Sequence, residues 1–259
     1  MSGHSKWATI HRAKEVTDQK RGQAFTKITN SIIIAVKEAN GITDPNSNFK
    51  LRLALDKARE VNMPKDNVQR AIDRASGASG AGTIDEMVYE GYGPGGVAIL
   101  VEAATDNRQR TVQEIKNIFD RAGGSLGSPG AVSFLFKKLG LILVNKGANA
   151  EETTLKLIDL GAEDVEEVED GIEVYVAVEI FEEMKKKISE AGLVVIKSEL
   201  VSKPTTLVPV AEAKAAAKIL NLMEKLDSHD DVLKVYANFD IPEEVLEQVK
   251  NNSDLAKSD

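Results

Sequence analysis

The sequence predicts an α+β protein in which an N-terminal all-helical domain precedes two α/β-sandwich domains, one inserted into the other. Apolar residues recur at helical spacing up to residue 75, and a stretch rich in glycine and serine follows at 76–82. Beyond it, short β-branched runs alternate with helical patterns. At about 100–200 residues per domain, the 259 residues allow two or three domains.

Three amphipathic helices account for the first part of the chain. The first lies between Gln19 and Asn40, and Gly41 is suited to end it. The second carries apolar residues from Leu51 to Val61, and Pro64 then stands where a third helix begins. We therefore expect residues 1–78 to form a helical domain.

The order of elements from Leu139 onward is βαββαβ, which is typical of the ferredoxin-like fold. The predicted elements are Leu141–Val144, helix Glu151–Leu160, Asp164–Val168, Ile172–Val178, helix Ile180–Ala191 and Leu193–Leu200.

This ferredoxin-like domain, residues 136–204, is predicted to be inserted into an acidic α+β domain made of 79–135 and 205–249. The outer domain would contain Met87–Tyr92, Val97–Ala103, helix Arg108–Arg121, strand Ala131–Phe136, helix Val210–Leu226 and strand Asp231–Phe239. Residues 250–259 are expected to form a disordered tail.

Charge is distributed unevenly along the chain. Residues 1–75 carry 14 Lys and Arg against 8 Asp and Glu, a net charge of +6, whereas the remainder carries −14 and the whole chain −8. A basic module joined to acidic domains favours a polyanionic partner for the basic part. The alternative is a chance scatter of charge.

Composition excludes several classes of protein. The chain has no cysteine and three histidines, so disulfides, thiolate sites and histidine-rich metal centres are not expected, and we predict no cofactor and no metal. No apolar run approaches the roughly 20 residues of a membrane span, and the N-terminus resembles neither a signal nor a transit peptide. We expect a cytoplasmic protein without a membrane partner.

The segment Gly91–Gly96 satisfies the pattern G-x-G-x-x-G. A dinucleotide loop must lead from a strand into a helix, but here the strand-like run Val97–Val101 follows, and Pro94 removes an amide from the supposed phosphate cradle. We predict a hairpin loop that binds no nucleotide. The glycine-rich stretch 123–130 lacks G-K-[ST] and is likewise predicted to be a loop.

No pattern of catalytic residues emerges. Ser2, His4 and Ser5 have no nearby carboxylate to orient the imidazole, and Asp106 is most simply the cap of the helix that follows it. We therefore expect neither an enzyme nor a small-molecule substrate.

The N-terminal segment supplies the strongest candidates for nucleic-acid contact. Lys20 and Lys27 lie opposite the apolar stripe of the first helix and are expected to face solvent, while Arg21 points toward the edge of that stripe. Trp7 could stack on a base or anchor the segment to the core. The candidates in this segment are Lys6, Trp7, His11, Arg12, Lys14, Lys20, Arg21 and Lys27.

The third helix is a second candidate. Lys65 and Arg70, with Asn67, Gln69 and Arg74, are residue types that contact phosphates or base edges. A helix–turn–helix role requires this helix to be exposed. The alternative is that these are ordinary solvent-facing side chains.

Several short motifs together resemble the YebC family along nearly the whole chain. They are Gly3–Trp7, Lys20-Arg21-Gly22, Phe25–Lys27, Asp44-Pro45, Asn62–Asn67, Arg70–Ile72, Tyr89–Gly96, Thr105–Arg108 and Gly123–Gly127. The resemblance implies three domains and a cytoplasmic regulator, described as a probable transcriptional regulator that binds DNA. It implies one alternative, a ribosome-associated translation factor that binds rRNA and assists synthesis of proline-rich sequences. Relatives of that kind include a translational activator of cytochrome c oxidase.

Overall fold

The computed structural model describes residues 18–76, 84–162 and 164–255. These residues divide into two compact units. Leu135–Leu207 forms one, and the described residues of Glu15–Phe134 and Val208–Asp259 form the other. Within the described ranges, no helix combines the length and apolar character that a bilayer crossing requires. Most of the predicted 76–82 linker lies outside the described residues.

The larger unit begins with three helices, α1 (Asp18–Glu38), α2 (Phe49–Glu60) and α3 (Lys65–Ala75). The apolar side of α1 is buried as its spacing predicts, with Ile32 and Val36 fully removed from solvent. Each such side chain stabilises the fold by about 1.5–3 kcal/mol. The three predicted helices are confirmed, and Pro64 stands immediately before α3.

Asn48 fixes the junction between α1 and α2. Its Oδ1 accepts a hydrogen bond from the Leu51 N–H at 3.0 Å, and its Nδ2 donates to the carbonyl oxygens of Ala35 at 2.8 Å and Ile42 at 3.0 Å. One buried side chain therefore satisfies an amide at the start of α2 and two carbonyl groups at or just after the end of α1.

An antiparallel sheet with the strand order β3-β1-β2-β9 follows the helices. Two helices pack on this sheet. The helix Arg108–Ala122 approaches closely, because a Cβ atom at Gly91 of the first strand would lie 2.8 Å from the ring of Phe119 on that helix. The elements are β1 (Asp85–Tyr92), β2 (Ala98–Thr105), α4 (Arg108–Ala122), β3 (Ser125–Leu126), α7 (Ala213–Asp227) and β9 (Val232–Ala237).

The helices and this sheet share one hydrophobic core. Ile84, Ala104 and Leu233 from the sheet side pack with the cluster that contains Ile32 and Val36 of α1. The helical region and the sheet of the larger unit are therefore packed on one continuous core.

Two short strands and a final helix complete the larger unit: β8 (Val208–Pro209) pairs in parallel with β10 (Phe239–Asp240), and α8 covers Glu243–Leu255. Because α8 extends to Leu255, the predicted disordered tail from residue 250 begins too early. The predicted strand Ala131–Phe136 is also wrong, since Ser133–Leu135 forms a 3-10 turn. The N–H groups of Val132 and Ser133 in this segment donate instead to the carboxylate of Glu90.

The smaller unit is the predicted ferredoxin-like fold. Its antiparallel sheet has the order β5-β6-β4-β7, and Phe181 at the start of α6 packs where Gly140 leaves room. The prediction of a βαββαβ unit is confirmed. Its elements are β4 (Phe136–Val144), α5 (Ala150–Asp159), β5 (Asp164–Val168), β6 (Gly171–Val176), α6 (Phe181–Glu190) and β7 (Val195–Pro204).

The chain enters and leaves this unit at one place. Both the N–H and the Oγ1 of Thr205 donate to the carbonyl oxygen of Leu135, at 2.8 Å and 3.0 Å. Phe136 and Pro204 are paired directly beside them. The chain segments that enter and leave the smaller unit are therefore hydrogen-bonded to each other, and we call this pair of segments the stem.

Candidate nucleic-acid interface

Most of the predicted N-terminal contacts lie outside the described part of the chain. This holds for Lys6, Trp7, His11, Arg12 and Lys14, and for the side chain of Lys20, whose backbone belongs to α1. Arg21 is exposed. The role predicted for these residues stays a prediction.

Lys27 does not face solvent, and that expectation is wrong. Its Nζ lies 2.9 Å from Oδ1 of Asp227 and 2.5 Å from the carbonyl oxygen of the same residue at the end of α7, and its side chain is only 17% exposed. Helical periodicity places Lys27 opposite the main apolar stripe, but the end of α7 covers that position. Nearby, Gln23 Nε2 donates to the Ser228 carbonyl oxygen at 3.2 Å.

Three further cations of the helical region pair with carboxylates. Their charges are therefore partly neutralised before any polyanion approaches. The pairs are Lys37 with Asp85 at 2.9 Å, Lys50 with Glu38 at 2.6 Å and Arg59 with Asp56 at 2.6 Å.

Helix α3 presents cations in a different way. Lys65 and Arg70 are exposed, and neither forms an ion pair with the described part of the chain. The Arg70 guanidinium instead bonds to the backbone carbonyl oxygen of Asp66 at 3.2 Å and to Oδ1 of Asn67. Such contacts orient the guanidinium while leaving its charge unneutralised.

The connector between α2 and α3 holds α3 at the surface. It comprises Val61–Pro64, in which Met63 is buried and Asn62 adopts a left-handed conformation with φ of 54°. In α3 itself, Ala71 is buried, whereas Gln69, Arg70 and Asp73 are exposed. The exposure that a helix–turn–helix reader requires is therefore present.

The G-x-G-x-x-G segment forms a hairpin between β1 and β2, as predicted. Tyr92 pairs with Ala98 across it, and the Gly93 N–H donates to the Val97 carbonyl oxygen at 2.8 Å. No helix begins at its end, so the amides of a helix N-terminus are not available here to a pyrophosphate.

Glu90 is a buried residue that the sequence does not identify. Its carboxylate accepts hydrogen bonds from the N–H groups of Gly130, Val132 and Ser133, each at 2.7 Å. Burial raises the pKa of Glu90, but these hydrogen bonds together outweigh it, and the pKa lies below its ordinary value. The partners lie about forty residues away in the chain, so no local pattern could have revealed them.

A polar network covers the start of α4. Asn107 caps this helix, because its Oδ1 accepts from the Arg110 N–H at 3.1 Å; the prediction that Asp106 is the cap is therefore wrong. Arg110 Nη2 contacts Asp231 at 2.8 Å and Asp106 at 3.1 Å, and Thr111 Oγ1 donates to Asp231 at 2.5 Å.

Glu114, His229 and Asp231 bring possible metal-ligand atoms within 4.8 Å of one another. However, His229 Nδ1 accepts the Asp231 N–H at 3.1 Å, so the ring proton lies on Nε2, which faces Glu114 at 2.9 Å. A metal at Nε2 would need the opposite tautomer. Arg110 already supplies positive charge beside Asp231. The hydrogen bonds assign this group a structural role.

Comparison with known proteins covers nearly the whole chain. Residues 5–78 match the model of the TACO1/YebC protein N-terminal domain, and residues 84–239 match the TACO1/YebC second and third domain.

Relatives of similar length are named probable transcriptional regulatory protein. A protein of Roseiflexus castenholzii is 48% identical over 96% of this chain and 98% of its own, and one of Dictyoglomus turgidum is 45% identical over 96% and 100%. The crystal structure of a conserved hypothetical protein from Aquifex aeolicus has a TM-score of 0.81 and 39% identity, covering 88% of this chain and 94% of that chain. The chain belongs to the TACO1/YebC family.

Proposed function

We propose that this protein is a nucleic-acid-binding regulator of transcription that contacts duplex DNA through its basic helical region, with α3 as the reading helix. The observation that carries the proposal is the contrast in charge pairing. Lys65 and Arg70 stand exposed on α3 without carboxylate partners in the described chain, whereas Lys27, Lys37 and Lys50 are paired.

The charge of the rest of the chain supports this assignment. Phosphate contacts supply most of the affinity of a nucleic-acid-binding protein, and like charges oppose it. Residues 1–75 carry +6 and residues 76–259 carry −14, so the helical region is the part that a polyanion would approach. The names of the relatives agree with a regulatory role. A cytoplasmic location is part of the proposal.

The test is equilibrium binding of the full chain to random duplex DNA and to a structured ribosomal RNA fragment of equal length, over a range of salt concentrations. We expect affinity for duplex DNA to fall steeply with salt and to rise for promoter sequence. Crosslinking in cells, followed by sequencing of both polymers, should recover promoter DNA. Recovery of ribosomal RNA alone, with stronger binding to RNA in vitro, would replace the proposal with the ribosome-associated alternative.

A further inference from the structure

The ferredoxin-like unit has a sheet face that its helices leave open. Phe181 at the start of α6 packs over Gly140, so the residues that alternate with Gly140 along β4 lie on the other face. Strand register places two rows of side chains across this open face. The rows are Asp164, Tyr175, Leu141 and Glu199, then Glu166, Glu173, Leu143 and Lys197.

The centre of the open face is apolar and little exposed. Leu139, Leu141 and Tyr175 form a cluster at 6%, 9% and 4% exposure, with Val201 packed against it. In a two-layer fold the face without helices ordinarily meets water and alternates with polar residues. An apolar centre on such a face indicates a surface that something covers.

The margins of the open face carry charges of both signs. Asp164 and Glu166 lie on the edge strand β5, Glu199 pairs with Lys197 at 3.1 Å on β7, and Lys137 and Lys203 lie opposite each other on β4 and β7. Glu173 is buried at 1% exposure, and its carboxylate accepts a hydrogen bond from the Tyr175 hydroxyl at 2.7 Å. Lys203 Nζ contacts Asp164 at 2.7 Å and Glu166 at 2.6 Å and lies 3.5 Å from the centre of the Tyr175 ring. The face therefore already holds one ammonium group between carboxylates and over an aromatic ring, which is the chemistry that receives Lys or Arg.

The N-terminal segment of this chain has the complementary pattern. Residues 1–14 contain Lys6, Arg12 and Lys14 and no Asp or Glu, with Trp7 and Ile10 between the cations. The smaller unit, in contrast, has 9 Lys, no Arg and 15 Asp and Glu over residues 135–207, a net charge of −6. Seventeen residues precede α1, and at about 3.3 Å per residue they can span roughly 55 Å.

We propose that residues 1–14 dock on this open face, with Trp7 and Ile10 toward Leu139 and Leu141 and the cations toward the flanking carboxylates. The apolar pairs supply burial, and the ion pairs orient the segment. One consequence rests on the proposed function: nucleic acid and the sheet face would compete for Lys6, Arg12 and Lys14. Docking would then restrain the free protein, and polyanion would release the segment.

Photo-crosslinking gives the first test. The chain has no cysteine, so Ser5→Cys introduces a unique attachment point for a photoactivated crosslinker in the full chain without nucleic acid. We expect crosslinked peptides from β4, β6 and β7. Crosslinks confined to other elements, or none within the chain, would overturn the proposal.

Trp7, the sole tryptophan, gives the second test through its fluorescence. Glu199→Lys should shift the Trp7 emission to the red and increase its quenching by acrylamide. The control Glu190→Lys, on α6 with a side chain 64% exposed, should do neither. Equal spectra for the two variants would contradict docking.

A charge swap tests whether the effect of Glu199→Lys comes from loss of docking or from misfolding of the sheet. Arg12→Glu with Lys14→Glu should cause the same red shift without altering the sheet, and combining this pair with Glu199→Lys should partly restore the blue emission. We expect the blue emission to return only if residues 1–14 contact this face. A further red shift in the combined variant would refute docking. Because these measurements contain no nucleic acid, they succeed or fail independently of the proposed function.

Discussion

Lys27 on α1 is joined to Asp227 at the last residue of α7 by an ion pair of 2.9 Å and by a bond from the same ammonium group to the Asp227 carbonyl oxygen. Both side chains are mostly buried, at 17% and 25% exposure. A cation at a helix C-terminus also interacts favourably with the helix dipole. The pair thus connects the helical region to a helix of the sheet layer, two hundred residues later in the chain.

Replacing Lys27 by Met should lower the free energy of unfolding by about 1–3 kcal/mol, since it removes the ammonium group that pairs with the partly buried Asp227 carboxylate while keeping the methylene packing. Urea denaturation measures this. Lys65→Met is the matched control and should change stability little, because Lys65 is exposed and makes no ion pair with the described residues. Equal effects of the two substitutions would show that the pair does not stabilise the fold.

Replacing Lys65 and Arg70 together by Ala should weaken binding to all nucleic-acid sequences. If each contacts one phosphate, the slope of log K against log salt should become shallower by about 0.9 per residue, roughly 1.8 in total. Arg59→Ala removes an exposed guanidinium that pairs with Asp56, so it should change the slope less. If both variants retain the wild-type slope while folded, α3 is not the contact surface.

Replacing Glu90 by Gln should destabilise the larger unit by about 1.5–3 kcal/mol at neutral pH, since a charged acceptor of three N–H bonds is lost. The pKa of Glu90 is depressed in the folded state, so its contribution is present above its ordinary value of 4.5 and is lost as pH falls through the folded pKa. Urea titrations of wild type and variant should therefore converge on acidification. Glu247→Gln, an exposed change in the same unit, should have no effect at either pH.

Asn107→Ala should cost about 1 kcal/mol, the usual effect of removing a helix cap. Asp106→Ala should cost much less, because Asp106 is exposed and Arg110 keeps its ion pair with Asp231 when Asp106 is removed. Thermal unfolding of the two variants compares them directly. A larger loss for Asp106→Ala would restore Asp106 as the residue that caps α4.

Periodicity was sufficient to predict the elements whose burial is local. The stripe from Phe25 to Val36 and the βαββαβ order from residue 136 depend on neighbours within one helix or one sheet, so spacing alone predicts them. Strand Ala131–Phe136 failed for the opposite reason. Its apolar pattern suits a strand, but Glu90 binds two of its amide groups.

The contrast between local burial and contacts from distant segments also explains how much of the candidate interface the sequence could predict. The sequence placed cations in the helical region, and exposure on α3 agrees with the pattern. It could not show which cations are used internally, because Asp227 and Asp85 come from distant segments. Helical spacing states which face a side chain occupies, and the tertiary fold decides whether that face meets water.

The stem between Leu135 and Thr205 makes the smaller unit modular. Because its two chain crossings are hydrogen-bonded to each other, a short turn could join residue 134 to residue 208 and replace the whole intervening segment. None of the hydrogen bonds that anchor Glu90, cap α4 or join α1 to α7 passes through that segment. A shortened chain of this kind would retain the helical region and its sheet.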